Sequence, residues 1–211
     1  PDSKNHNAGL LNLLPRLTTL DFRGKCSMPQ SNGSSIFTTL LTGAALEELD
    51  FGCTNDLGDI IDYFCQEGQA IFGGSVKTIE FSQNSVHSVN NKQLQTLLFN
   101  VFPTKFPNLE SVVFKKRGGF NDNNGIQSFK SISDTINNCE IDTVPRLPSS
   151  LCTLCLDGNP VLNNIQSDPD EKEAFLNFLK FNNSIYCLRE RTAGSFDDDV
   201  DYELLANHAG R

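Results

Sequence analysis

The chain has 211 residues, enough for one domain of ordinary size with a sizeable hydrophobic core. Apolar residues make up 38% and charged residues 20%, a globular composition, and no stretch reaches the roughly 20 consecutive apolar residues of a membrane span. The 17 basic and 26 acidic residues give a net charge of −9, which argues against a general nucleic-acid binder, because such proteins need a basic face to neutralise phosphates.

One short pattern recurs five times: an apolar residue, two others, an apolar residue, one other and a third apolar residue. Successive copies start 29, 30, 33 and 42 residues apart, which is typical of a repeat architecture. The second and third apolar positions lie two residues apart, so they share one face of a short strand. The copies are residues 17–22 (LTTLDF), 46–51 (LEELDF), 76–81 (VKTIEF), 109–114 (LESVVF) and 151–156 (LCTLCL).

The segments between these strands have helical periodicity. Leu94, Leu97, Leu98 and Val101 share one face of a helix over residues 91–101, and Phe102-Pro103 and then Phe106-Pro107-Asn108 are expected to end it before the next strand. The same reasoning predicts helices over residues 36–41, 60–71, 126–138 and 168–181. A unit of strand, turn and helix buries its apolar stripe only by stacking on neighbouring units, so the pattern predicts a solenoid.

Two further expectations concern the interior. Asn84 and Asn159 each lie eight residues after the first apolar position of their copy, where a buried amide can satisfy backbone groups of the turn. The second and third apolar positions of all copies should lie in one continuous core. These positions are Leu20, Phe22, Leu49, Phe51, Ile79, Phe81, Val112, Phe114, Leu154 and Leu156.

The strings LTTLDF, LEELDF, VKTIEFSQNSV, PNLESVVF and LPSSLCTLCLDGNPV resemble the leucine-rich-repeat superfamily. Units of 29 to 33 residues with helical returns resemble its ribonuclease-inhibitor-like class, and the ending DYELLANHAGR resembles tails of such proteins in diatoms and related protists. The resemblance implies one α/β solenoid over residues 1–211, curved, with a parallel inner sheet and convex helices. Five to six repeats would occupy about residues 8–190, followed by an acidic tail and terminal cap over 191–211.

Two segments depart from the repeat pattern. The 42-residue step contains extra material within residues 117–150, which is either a tolerated surface insertion or a partner-binding loop on the rim. A sixth, degenerate strand is predicted from Ile185 and Leu188. The acidic stretch 195–203 is expected to precede a terminal helical turn at 204–211 that caps the array, with an acidic interaction tail as the alternative.

No catalytic constellation is visible. The three histidines lack metal-ligand spacing, and neither a Gly-x-Ser-x-Gly motif nor a phosphate-binding loop is present. Cys152 and Cys155 lie three apart in a predicted strand and should face opposite sides, which argues against a shared metal or a disulfide. We therefore expect no enzyme activity, no cofactor and no metal. The seven scattered cysteines indicate a reducing, intracellular compartment, and a chain starting at Pro1 is expected to be a fragment or processed form whose targeting segment is not visible.

The candidate site is the concave face of the sheet, where strand residues between the apolar positions form columns. We expect Asp21, Asp50, Glu80, Val113 and Cys155 to point out of the core in one column. The columns on either side would add Glu48, Arg23, Ser82 and Lys115, with Lys116 beside the last. The acidic residues then form either ordinary solvated charge or a patch for a basic protein segment, and Lys115 and Lys116 form a basic counter-patch. A divalent-cation site is disfavoured, because alternate carboxylates on a flat sheet rarely supply six oxygens.

We thus expect a non-catalytic protein-interaction module that binds its partner through the concave face and adjacent loops, without nucleic acid and without direct membrane insertion. The alternative is a structural subunit that contacts its neighbours in a larger assembly through its rims and ends.

Overall fold

The structure is a computed structural model and describes residues 14–21, 40–42, 45–51, 57–66, 74–82, 90–115, 125–138, 146–189 and 198–210. Within these ranges six strands form one open, all-parallel sheet, in which each strand pairs with the next along the chain. The α/β class and the parallel sheet are therefore confirmed. The strands are β1 (Thr19–Asp21), β2 (Glu48–Asp50), β3 (Thr78–Ser82), β4 (Ser111–Lys115), β5 (Thr153–Cys155) and β6 (Cys187–Arg189).

The strand register aligns the pattern copies with one another. Leu20 pairs with Leu49, which pairs with Ile79, and the alignment continues through Val112 and Leu154. The predicted sixth strand forms as β6, whose Leu188 lies opposite Leu154. Since each apolar position stacks on its equivalent one strand away, a single short pattern suffices to specify the whole sheet.

Helices lie in the described parts of the connections between strands, and their apolar residues join those of the strands in one cluster. Residues 40–42 are helical, within the connection before β2. A π-helical turn (Leu97–Val101) joins two of the helices, and a short 3-10 turn (Leu14–Arg16) precedes β1. The helices are α1 (Leu57–Gln66), α2 (Asn91–Thr96), α3 (Phe102–Lys105), α4 (Lys130–Asn138), α5 (Pro160–Ser167), α6 (Pro169–Phe181) and α7 (Asp198–His208).

The third helical segment ends at Lys105, just before Phe106-Pro107-Asn108 as expected, but it continues through Phe102-Pro103, so the expectation that these two residues begin its end is wrong. The backbone N–H of Phe102 bonds to Leu97 O, five residues back, so the helix widens by one residue just before the proline. Proline disrupts a helix by its missing N–H and by its clash with the carbonyl four residues back. A π-helical turn changes both the spacing and the hydrogen-bond partner, and so accommodates Pro103 inside the segment.

The predicted core is confirmed at eight of its ten positions, each at most 1% exposed. Leu20 is half-buried against the cluster, and Phe22 lies outside the described residues. The third apolar positions of the second, third and fourth pattern copies form a row of stacked rings, with Phe81 centred 5.5 Å from Phe51 and 5.2 Å from Phe114. A parallel sheet in register brings identical side chains together, and here they are aromatic.

Asn159 makes the turn contacts expected of it. Its side chain is buried, Nδ2 donates to Phe114 O (2.9 Å) and to Leu156 O (3.1 Å), and Oδ1 accepts from Ile126 N (2.9 Å). These bonds connect the chain after β5 to the end of β4 and to the segment before α4. Asn84, its predicted counterpart, lies outside the described residues.

The acidic residues at the start of α6 have structural roles. Asp168 caps the helix by accepting from the backbone N–H groups of Asp170 and Glu171. Its hydrogen bond with Lys130, at 2.8 Å, lowers the pKa of Asp168 and raises that of Lys130. Glu171, only 2% exposed, accepts from Ser128 Oγ (2.6 Å) and from Phe129 N, just before α4. The two helices are thereby joined at their amino-terminal ends.

The chain's last helix is longer than expected. It begins at Asp198 rather than at Leu204, so the second half of the acidic stretch forms its first turns. Val200 and Leu204 enter the core, and Asn207 Nδ2 donates to Leu179 O (3.2 Å) and Ile185 O (2.8 Å). The helix therefore covers apolar surface of α6 and of the approach to β6.

Candidate functional site

The candidate site is the polar sheet face, which we define as the side of β1–β4 that bears Asp21, Glu48, Asp50, Glu80 and Lys115. The strand register places Asp21 opposite Asp50 and Asp50 opposite Glu80. Glu48 lies in the next column, between Thr19 and Thr78. Neighbouring strands lie about 4.8 Å apart, so three carboxylates follow one another across the sheet.

Exposure divides these residues into two groups. Asp21 and Glu48 are exposed, whereas Asp50 and Glu80 are half-buried, contrary to the expectation that both would be open to solvent. Lys115 Nζ lies 3.3 Å from Glu80 Oε1, and both side chains are about one-quarter exposed. The basic residue expected to form a separate counter-patch thus lies against the acidic column and neutralises its end.

Three of the predicted site residues are not fully placed. Ser82 lies in β3 opposite Lys115, as the predicted columns require, but its side chain is outside the description. Arg23 and Lys116 both lie outside the described residues. The structure therefore brings together Asp21, Glu48, Asp50, Glu80 and Lys115.

The column that contains Asp21, Asp50 and Glu80 continues with Val113 in β4 and Cys155 in β5. These two side chains are only 6% and 1% exposed, although they do not belong to the core cluster. Val113 lies between Glu80 and Cys155 in the register. Lys115 projects from the same face two residues further along, and its ion pair with Glu80 runs beside the valine. The side chains of Val113 and Cys155 lie outside the core cluster, as expected, but they are buried, so the polar part of the face ends before them.

The cysteines near this face are thiols with different surroundings. Cys155 is buried, which raises the pKa of its thiol to about 11. Cys152, just before β5, is half-buried, and its Sγ lies 3.4 Å from Glu110 O. A hydrogen bond with Cys152 raises the pKa of Tyr186, whose ring stacks on that of His208 at 4.9 Å. Both cysteines of the CxxC sequence are free.

We expect native-state alkylation to separate these thiols by rate. The thiolate is the reactive species, so burial and a pKa of about 11 should make Cys155 react at least about 100-fold more slowly than in unfolded chain. Exposed Cys65 should react well before it. Pulsed iodoacetamide labelling with mass mapping checks this, with urea-unfolded protein as the control. Equal native rates at Cys65 and Cys155 would contradict the burial of β5.

The structure also has a surface cleft that the sequence pattern does not reveal. It has a volume of about 360 Å³ and is lined by Arg146, Phe181, Asn183 and Gly210, among others. The Arg146 guanidinium lies 5.3 Å from the centre of the Phe181 ring. Since α6 ends at Phe181 and Gly210 follows the end of α7, helix carbonyl ends lie beside this cleft. These carbonyl groups carry negative partial charge, which offsets the positive charge of the Arg146 guanidinium. The cleft therefore offers little net attraction for an anionic ligand.

Comparisons with known proteins give no relative: no protein-family model matches the chain, and no curated protein or solved structure matches it significantly. Among the described residues, no three His, Cys, Asp or Glu side chains are grouped so that they could hold a metal ion. The described helices include none with the length and apolar character to cross a bilayer.

Proposed function

We propose that this chain is a curved leucine-rich-repeat solenoid, similar to the ribonuclease-inhibitor-like class, that acts as a non-catalytic protein-interaction module. Three features support the solenoid: the repeated pattern, the in-register stacking of its copies, and helices whose apolar residues share one cluster with the strands. The turn contacts of Asn159 add a fourth, because they link consecutive units through buried backbone groups.

The observation that carries the binding proposal is the line of Asp21, Asp50 and Glu80 across three adjacent strands, with Glu48 beside it. Like charges about 4.8 Å apart repel one another, even in water. A partner segment with lysine or arginine side chains relieves that repulsion as it binds. Asp21 and Glu48 are the exposed members of this surface, and Glu80, at its other side, is half-buried beside Lys115, so we place the partner over β1 to β3.

The unmodified chain is first used to capture its partner from cell extract. The test variant then reverses the two exposed charges of the polar sheet face, Asp21→Lys with Glu48→Lys. The identified partner should contain a basic segment, and its association with the variant should be slowed about tenfold or more, because exposed charges mainly steer encounter. Stability should change by less than about 0.5 kcal/mol per site. Association rates measured with purified partner at several salt concentrations check the result.

The matched control is Asp134→Lys with Glu173→Lys, which makes the same change in net charge at exposed positions of α4 and α6. This control should keep most of the association rate and its salt dependence. If it slows binding as much as the sheet-face variant, or if neither does, the polar sheet face is ordinary solvated surface.

A structural role in a larger assembly is the second candidate, and one observation favours it. Tyr202 and Leu205, on the last helix, are 71% and 67% exposed, although both are large apolar side chains. An end of the array that contacts a neighbour would carry such residues.

A further inference from the structure

The outer face of α7 carries large apolar side chains that no described residue covers. Here Tyr202 and Leu205 lie side by side, one helical step of three residues apart, and both are more than two-thirds exposed. Tyr186, 43% exposed, adds to the same end of the molecule through its stacking on His208.

Tyr202 and Leu205 belong to a stripe of four positions along one side of α7. Positions 198, 202, 205 and 209 follow one another by four, three and four residues, so they share one face. The opposite face carries the buried residues Val200, Leu204 and Asn207. The stripe therefore starts with an acidic residue, has two large apolar residues at its middle, and ends beside His208.

We propose that this stripe binds a second copy of the same chain, with the two α7 helices antiparallel about a two-fold axis between Tyr202 and Leu205. A two-fold axis at that point places Tyr202 of each helix against Leu205 of the other, as a self-complementary interface requires. The same operation brings His208 of one copy within about one helical turn of Asp198 of the other. Antiparallel helix dipoles add a small favourable contribution.

The distribution of charge along α7 favours a second copy of the chain as the partner and an antiparallel arrangement of the two helices. The first turn of α7 is acidic, with Asp198, Asp199 and Asp201, and its last turn contains His208. Asp199 is engaged by Lys172 of α6 at 2.6 Å, which leaves Asp198 and Asp201 as the acidic residues nearest the stripe. A parallel pair would place carboxylates of the two copies against each other, whereas the antiparallel pair places an imidazole N–H against a carboxylate.

The size of the helix sets the expected strength. An 11-residue helix is about 16 Å long, so a single helix pair buries less than the roughly 1,200 Å² of a standard stable interface. We therefore expect reversible dimerisation with a dissociation constant on the order of 100 µM. This association does not involve the polar sheet face, so its failure would leave the proposed partner binding untouched.

Sedimentation equilibrium of the full chain from about 10 to about 500 µM tests the proposal, since this range brackets the expected constant. The unmodified chain should pass from monomer towards twice the monomer mass. Leu205→Glu should weaken dimerisation about tenfold or more, because it places a charge at the centre of the contact. Asn163→Glu, at an exposed position of α5, is the matched control and should dimerise like the unmodified chain. A chain that stays monomeric throughout, or Leu205→Glu that still dimerises, overturns the proposal.

A charge exchange tests the orientation. Asp198→Lys and His208→Glu should each weaken dimerisation several-fold, and the double variant should return to within about threefold of the unmodified chain, as coupled residues do. Circular dichroism confirms that each variant retains its helix content. A double variant no better than the single ones rules out the antiparallel pair.

Discussion

Phe81→Ala should lower the free energy of unfolding by about 3 to 5 kcal/mol, the cost of removing a buried phenylalanine ring and leaving a cavity. Phe81 is fully buried and is the middle ring of the stack, with Phe51 on one side and Phe114 on the other. Its loss removes these two stacked contacts and a third ring contact, with Phe102 at 6.5 Å, and the neighbouring rings then border the cavity. Equilibrium urea unfolding, followed by circular dichroism, measures the loss.

Two comparisons make the Phe81 prediction specific. Phe81→Leu keeps most of the apolar volume and should cost only about 1 to 2 kcal/mol. Removing the exposed ring in Tyr202→Ala should change stability by less than about 0.5 kcal/mol at low protein concentration. A loss below about 1 kcal/mol for Phe81→Ala would mean that the aromatic row is not the centre of the core.

Asn159→Ala should be destabilising by a similar amount, about 3 to 5 kcal/mol, for a different reason. It removes the side-chain partner of two buried backbone groups, the Phe114 carbonyl and the Ile126 N–H, and one of two donors to the Leu156 carbonyl, which keeps the backbone N–H of residue 159. Each buried group left without a partner costs about 1 to 3 kcal/mol. Chemical denaturation measures the change, and hydrogen exchange at the Ile126 amide should accelerate as its acceptor is lost.

The matched control is Asn163→Ala, four residues further along, at an exposed position of α5. This change should stay within about 0.5 kcal/mol of the unmodified protein. If Asn159→Ala is equally mild, the side chain does not hold the turn, and the assignment of Asn159 as the residue that links the turn after β5 to β4 is wrong.

Much of the fold could be predicted because local rules and long-range packing agree in this chain. The apolar positions two residues apart predicted each strand, and the near-constant step between copies predicted that the strands lie side by side in chain order. The helix predicted over residues 168–181 forms as α6, and its start is fixed within one turn by the capping carboxylate of Asp168.

The candidate site was predictable only in part. The columns of the polar sheet face follow from strand periodicity, so the alignment of Asp21, Asp50 and Glu80 was expected and is found. The ion pair between Glu80 and Lys115 was not, because these residues are 35 positions apart and their contact depends on side-chain reach across the register. That contact changes the face from two separate patches to an acidic surface with a neutralised edge.

The sequence by itself determined where the strands lie, which of their residues enter the core and that Asn159 serves the turn, since these depend on periodicity and on one side chain meeting nearby backbone. Tertiary structure alone decided the helix through Pro103 and the extent of α7. A π-helical turn has no sequence pattern distinct from that of an α-helix. The buried face of α7 includes Glu203 and Asn207, which no hydrophobic pattern marks as interior. Asn207 is stabilised there by the carbonyls of Leu179 and Ile185, which only the packed neighbours supply.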